Sequence, residues 1–132
     1  MVLDAPAQVR RAIFLLWMAL LVNCVGSVLN LEPLTDEDLS FNTSMVIILG
    51  AVFSTNALLI YVASRRRNWA RIMLLLLTIA GLSLYVIWPT DFFSDPWWSW
   101  VPTGLATVLE VAALGMLFLG DGAKWYSNRA TA

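Results

Sequence analysis

Four apolar runs divide the chain: 12–30 after Arg10 and Arg11, 44–63 before Arg65, 70–88 before Pro89, and 102–120 starting at Pro102. Each is about 19–20 residues, the length that crosses a hydrocarbon core of about 30 Å at about 1.5 Å per residue. Lipid offers no water to backbone N–H and C=O groups, so such runs must be helical. The pattern predicts an all-α fold: an integral membrane antiparallel four-helix bundle, one domain over residues 1–132, with helices near 12–30, 44–63, 70–88 and 102–120.

The spacing within each run predicts which face turns inward. In the first, Ala19, Asn23, Ser27 and Asn30 form a small and polar stripe. In the second, Gly50, Ser54, Ala57 and Tyr61 share a face, and Asn56 lies off it. Thr78, Gly81 and Tyr85 share a face of the third run, and Thr103, Ala106, Thr107, Glu110 and Ala113 line the fourth. Small residues let helices approach closely and polar ones bond across the contact, so these stripes are expected inside and the leucine-rich faces in lipid.

The connections complete this reading. The first run resembles a signal peptide in its arginines and leucines, but it is long and lacks an A-x-A cleavage site, so an uncleaved membrane helix is expected. In the loop LEPLTDEDLSFNTS, residues 35–38 are suited to cap a short surface helix carrying Leu39 and Phe41. Asn42-Thr43-Ser44 has the form of a glycosylation sequon but lies against the membrane, and Thr43 or Ser44 is read as the N-cap of the second helix.

Charge sets the threading. The 8 basic residues are Arg10, Arg11, Arg65, Arg66, Arg67, Arg71, Lys124 and Arg129. All fall in the two tails and the middle connection, the three segments that share one side of a four-span protein. The other two loops carry Glu32, Asp36, Glu37, Asp38, Asp91 and Asp95 and no Lys or Arg. The positive-inside rule then places both termini in the cytoplasm. Trp88, Trp97, Trp98 and Trp100 at the outer boundary, and Trp69 and Trp125 at the inner one, read as interfacial anchors.

Composition narrows the chemistry. Hydrophobic residues make up 60% and charged residues 13%, too little charge to cover a water-facing surface. A net charge of −1 gives no case for nucleic acid. One cysteine and no histidine exclude an internal disulfide and the usual zinc, haem and copper ligand sets, so no cofactor is expected. Cys24 reads as a small buried residue. The acids at 36–38 lack the D-x-[DN]-x-[DN]-G of a calcium loop. No Ser/His/Asp set or phosphate-binding loop is present, so an enzyme is not expected.

The candidate chemistry lies inside the membrane. Counted from the arginine anchors, Asn23 and Ser83 lie about 18 Å deep and Asn56 about 14 Å. Glu110 lies about 16–21 Å from Asp121 and Lys124. Asn23, Asn56, Ser83 and Glu110 thus form a polar layer near the midplane. A charged carboxylate there costs about 2.5–3.5 kcal/mol on insertion scales. The expectation is a neutral Glu110, hydrogen-bonded to Asn23 or Asn56 and acting as interhelical glue, with a proton-carrying or cation-binding role as the alternative. Arg65, Arg66, Arg67 and Arg71 could contact anionic lipid at about 1 kcal/mol each, although orienting the hairpin already accounts for them.

The motifs P-x-x-V-R-R-A…L-L-W (Pro6 to Trp17), R-R-N-W-A-R-I-x-L-L-L-L (66–77) and L-E-V-A-A-L-G-M-L-F-L…W-Y (109–119, then Trp125 and Tyr126) resemble a widespread group of small bacterial four-helix inner-membrane proteins of unassigned function. The resemblance spans most of the chain but rests on interface and packing residues. That group often carries Gln at the last-helix polar site, where this chain has Glu110. Small multidrug transporters are similar in size, but their essential acid lies in the first helix, where Asn23 stands here. Two functions follow. One is a non-enzymatic accessory protein that binds another membrane protein, such as an immunity-type blocker. The other is a small dimeric proton-coupled transporter or channel using Glu110. The partners expected are the lipid bilayer and another membrane protein or a second copy.

Overall fold

A computed structural model describes residues 5–29, 39–87 and 97–127. They form five helices and no strand: α1 (Ala7–Leu29), α2 (Leu39–Ser64), α3 (Asn68–Ile87), α4 (Trp97–Phe118) and α5 (Gly120–Ser127). Three spans are long and apolar enough to cross a membrane: Ala7–Leu29, Thr43–Ser64 and Trp98–Phe118, with mean hydropathy 2.3, 2.2 and 1.7. The apolar stretch of α3, Asn68–Leu84, is shorter.

Helix boundaries depart from the sequence reading where charge or proline was taken as an edge. α1 starts at Ala7, with the Pro6 carbonyl accepting from Val9 N and Arg10 N at 2.9 and 3.1 Å. Arg10 and Arg11 are exposed helical residues, as suits good helix formers that gain nothing from leaving the helix. α2 begins at Leu39, so Thr43 and Ser44 lie inside it and neither is its N-cap. The short surface helix expected to carry Leu39 and Phe41 is the first turn of α2, and residues 35–38 lie outside the described residues. α4 begins at Trp97 and takes Pro102 into its body.

α1 and α4 pair antiparallel along their length. Gln8, near the start of α1, donates through Nε2 to Met116 O and Leu119 O at the end of α4, both at 2.9 Å. At the other end Gly26 meets Pro102, and a Cβ at Gly26 would lie 2.7 Å from the proline Cβ. α2 and α3 form a tight hairpin. Arg66, at φ 62°, closes the last turn of α2 with its N–H on Ala63 O at 3.0 Å, a left-handed end usually given to glycine or asparagine.

The buried core lies at the arginine-bearing end. Val9, Ala12 and Leu16 of α1 meet Leu59, Ile60 and Ala63 of α2, Ala70 and Leu74 of α3, Ala113, Leu114 and Leu117 of α4, and Tyr126 of α5. Away from that end, Ala19, Gly26 and Ala106 keep α1 and α4 closed, whereas residues 43–48 of α2 and 84, 86 and 87 of α3 are exposed. The α1/α4 pair and the α2/α3 hairpin thus pack together at one end and part toward the other.

α5 was not anticipated. Gly120 takes φ 58°, a conformation glycine adopts without strain, and the chain turns back on itself. Tyr126 then donates from its hydroxyl to Ala63 O at 2.6 Å, and Arg66 Nε donates to Trp125 O at 2.6 Å. Arg71 Nη1 reaches Leu117 O at 2.9 Å. Side chains therefore cap the carbonyl ends of α2 and α4, groups that a helix cannot satisfy internally.

Candidate functional site

Where the two helix pairs part, they leave a half-open cavity of about 410 Å³. Its walls are apolar over much of their area: Leu16 and Leu20 of α1, Val52, Phe53 and Ile60 of α2, Leu74 and Leu77 of α3. Six polar side chains enter it: Asn23, Asn56, Thr78, Thr103, Thr107 and Glu110. Among the described residues Glu110 is the one ionisable group that lines the cavity, and no Lys or Arg does.

The helices explain these positions. In α4, Thr103, Thr107 and Glu110 follow a spacing of four then three, and so share one face. Ala106 and Ala113, fully buried, flank that face and hold α4 against its neighbours. In α3, Leu74, Thr78 and Gly81 repeat the spacing. Thr78 Oγ1 lies 2.6 Å from Glu110 Oε1, and also 3.0 Å from Leu74 O in its own helix. Thr107 Oγ1 turns back to Thr103 O at 2.8 Å, so its donor is used within α4.

The carboxyl partner differs from the expected one. Glu110 bonds Thr78, not Asn23 or Asn56. Asn56 Nδ2 donates to Val52 O at 3.1 Å, so it serves its own helix while still lining the cavity. Asn23 lines the α1 wall. Ser83 does not line the cavity, and its hydroxyl bonds Ile79 O at 2.6 Å. Three of the four polar-layer residues therefore share one cavity with Thr78, which takes the place expected for Ser83.

α2 is rotated relative to the sequence reading. Val52, Phe53, Asn56 and Ile60 face the cavity, while Gly50, Ser54 and Tyr61 are exposed. The signal for this was present: Asn56, Ile60 and Ala63 fall on one helical face, and Ile60 and Ala63 belong to the packed end. Cys24 is exposed rather than buried, because the flanking Asn23 and Gly26 hold the inward side of α1.

The arginine cluster divides. The Arg66 guanidinium lies 5.4 Å from the Trp125 ring and that of Arg71 lies 4.7 and 4.6 Å from Phe118 and Tyr126. These two serve the packed end. Arg71 Nε is buried with no hydrogen-bond partner among the described residues, consistent with its ring contacts carrying the charge. Arg65 donates to the Tyr61 hydroxyl and covers its ring; both Arg65 and Arg67 are exposed. Trp125, expected as an interfacial anchor, packs edge-on to Tyr126 at 4.8 Å. Burial pushes the Tyr126 hydroxyl from 10.0 up to about 12, against the opposing pull of Arg71.

No family model, curated protein or solved structure gives a significant match to the chain.

Proposed function

We propose that the chain is a four-span inner-membrane protein of bacterial type that works by binding another membrane protein rather than by catalysis, as an immunity-type blocker would. Four spans are supported by α3, whose 20 residues extend about 30 Å. Cytoplasmic termini are supported by the placement of all 8 Lys and Arg residues in the tails and the middle connection. A phosphatase fusion at the C-terminus is expected to be inactive, and one in the loop after α3 active.

The observation that carries the binding reading is the outward face of α2. Only 11% of its apolar window is buried, against 28% for α1 and 22% for α4. That face presents Gly50 and Ser54 at a four-residue spacing, and nothing lies within 4 Å of a Cβ built at Gly50. Small residues so spaced are what close helix–helix contact in lipid uses. The test is photocrosslinking from position 54 in native membranes. A crosslink to another membrane protein, lost in Gly50→Ile, supports the reading. Crosslinks to lipid alone would sink it.

A second reading, a small transporter or channel working as a dimer, is favoured by the cavity and its Glu110. It predicts proton-dependent flux in liposomes that Glu110→Gln abolishes.

A further inference from the structure

We propose that the cavity is a binding site for a lipophilic amine, with the ammonium on Glu110 and the apolar tail between α2 and α3. It deepens the second reading, and it holds whatever docks on α2. About 410 Å³ falls within the range of small-molecule sites, roughly 300–1,000 Å³, which pair apolar walls with a few placed polar groups. Here the walls are largely leucine, valine, isoleucine and phenylalanine, and the single ionisable group among the described lining residues is an acid. An anionic ligand would meet Glu110 with no cation to offset it. A neutral apolar ligand would leave the carboxyl and both asparagines without a new partner. An ammonium supplies donors and the opposite charge together, which is how a buried charge becomes tolerable.

The geometry also orients the ligand. Thr78 occupies one side of the carboxyl, with 2.6 Å between Oγ1 and Oε1. The cavity continues from Glu110 past Gly81, Leu82 and Leu84 of α3, so the tail runs away from the packed arginine end. Gly81 has nothing within 4 Å of a built Cβ, so a larger side chain there enters the cavity without a clash. Gly104 is equally unobstructed but does not line it.

The test uses purified full-length protein in neutral detergent with two fluorescent probes of equal length, a dansyl-tagged hexylamine and a dansyl-tagged hexanol. The amine is expected to bind at least about tenfold more tightly than the alcohol. Glu110→Gln removes that preference, Gly81→Leu blocks both probes, and Gly104→Leu changes neither. Equal binding of the two probes by the unmodified protein would overturn the proposal. So would a preference that survives Glu110→Gln, or binding that survives Gly81→Leu. Since the assay needs no bilayer orientation, failure of the topology reading leaves it intact, and a fluxless protein that prefers the amine would refute transport alone. A second arm uses phosphatidylcholine nanodiscs with and without phosphatidylethanolamine. Unchanged amine binding supports a free amine; competition by the lipid would assign the site to an aminolipid headgroup and overturn the free-ligand assignment.

Discussion

Replacing Tyr126 by Phe isolates one hydrogen bond at the packed end, and its cost follows from the geometry. The hydroxyl donates to Ala63 O at 2.6 Å, and both residues are buried, at 3% and 0% exposure. A net intramolecular hydrogen bond contributes about 0.5–1.5 kcal/mol, and an orphaned buried acceptor costs about 1–3 kcal/mol. Ala63 O is not orphaned, because Arg66 N still donates to it at 3.0 Å. The loss should therefore be about 1 kcal/mol. Tyr126→Leu removes more: the ring that Arg71 covers at 4.6 Å and the edge contact with Trp125 at 4.8 Å. Each is worth about 0.5–1.5 kcal/mol, so the leucine variant should lose about 3 kcal/mol. Both are read from equilibrium unfolding in mixed detergent micelles. The pH dependence supplies a second readout. Burial, outweighing the charge of Arg71, raises the folded-state value to about 12 from 10.0. A raised value means the stabilisation is complete below about pH 10 and is lost as pH climbs through about 12. The difference between Tyr126→Phe and the unmodified protein should be constant up to pH 10 and shrink above it. If the two proteins lose stability in parallel through alkaline pH, or if Phe costs as much as Leu, the packed-end account is wrong.

Three glycines give sharper structural tests. Gly26→Val should cost about 1–3 kcal/mol by overpacking, since its Cβ would lie 2.7 Å from Pro102 Cβ; unfolding unchanged from the parent would mean α1 and α4 are farther apart than described. Gly122→Ala places a Cβ 2.1 Å from Met116 O and 3.0 Å from Leu117 Cα, so α5 should detach and trypsin should cut after Lys124 about tenfold faster, as expected when local opening becomes cheaper by about 1.4 kcal/mol. Gly120→Asn should be better tolerated than Gly120→Val, because asparagine accepts the φ of 58° there and a β-branched residue does not; equal thermal midpoints for the two would refute the left-handed turn.

How far the molecule can be read from its residues depended on which force dominated each element. The all-α character and the approximate helix positions followed from hydrophobic run length, and 70–88 lies within two residues of the observed Asn68–Ile87. The inward stripes of α1 and α4 were legible because small and polar residues coincide there with the packed face. α2 was misread because two cues conflict: Gly50 and Ser54 point to one face and Asn56 to another. The conflict is settled by Leu59, Ile60 and Ala63, which are buried at 5%, 2% and 0% exposure and fix the rotation of the whole helix. Residues Gly120, Asp121 and Gly122 look like a helix end followed by a tail. Only the Trp125–Tyr126 pair hinted that the segment returns to pack, and no periodicity argument applies to a helix of 8 residues. Depth counting chose Ser83 over Thr78 because it fixes level and not facing; Thr78 lies five residues closer to the arginine end and on the side that faces α4.

The Thr78–Glu110 contact carries one further consequence, since a hydroxyl has a single proton to donate. Thr78 Oγ1 lies 2.6 Å from Glu110 Oε1 and 3.0 Å from Leu74 O, so it cannot donate to both. With an ionised carboxylate, the hydroxyl points at Glu110 in a short charge-assisted bond. With a protonated carboxyl, Glu110 donates to Oγ1 and the hydroxyl turns to Leu74 O. Both arrangements keep Thr78 Oγ1 and Glu110 Oε1 bonded to each other, so the pair accommodates either charge state without moving a helix. Valine at position 78 keeps the shape and removes both arrangements. If an ammonium ligand seats on Glu110, infrared difference spectra on adding the dansyl amine should show a change in the Glu110 carboxyl or carboxylate bands that is absent in Glu110→Gln. In Thr78→Val the carboxyl band should shift in the ligand-free protein, since its hydrogen-bond partner is gone. A difference spectrum identical in the parent and Glu110→Gln, or a ligand-free carboxyl band insensitive to Thr78→Val, would refute the coupling of hydroxyl direction to charge.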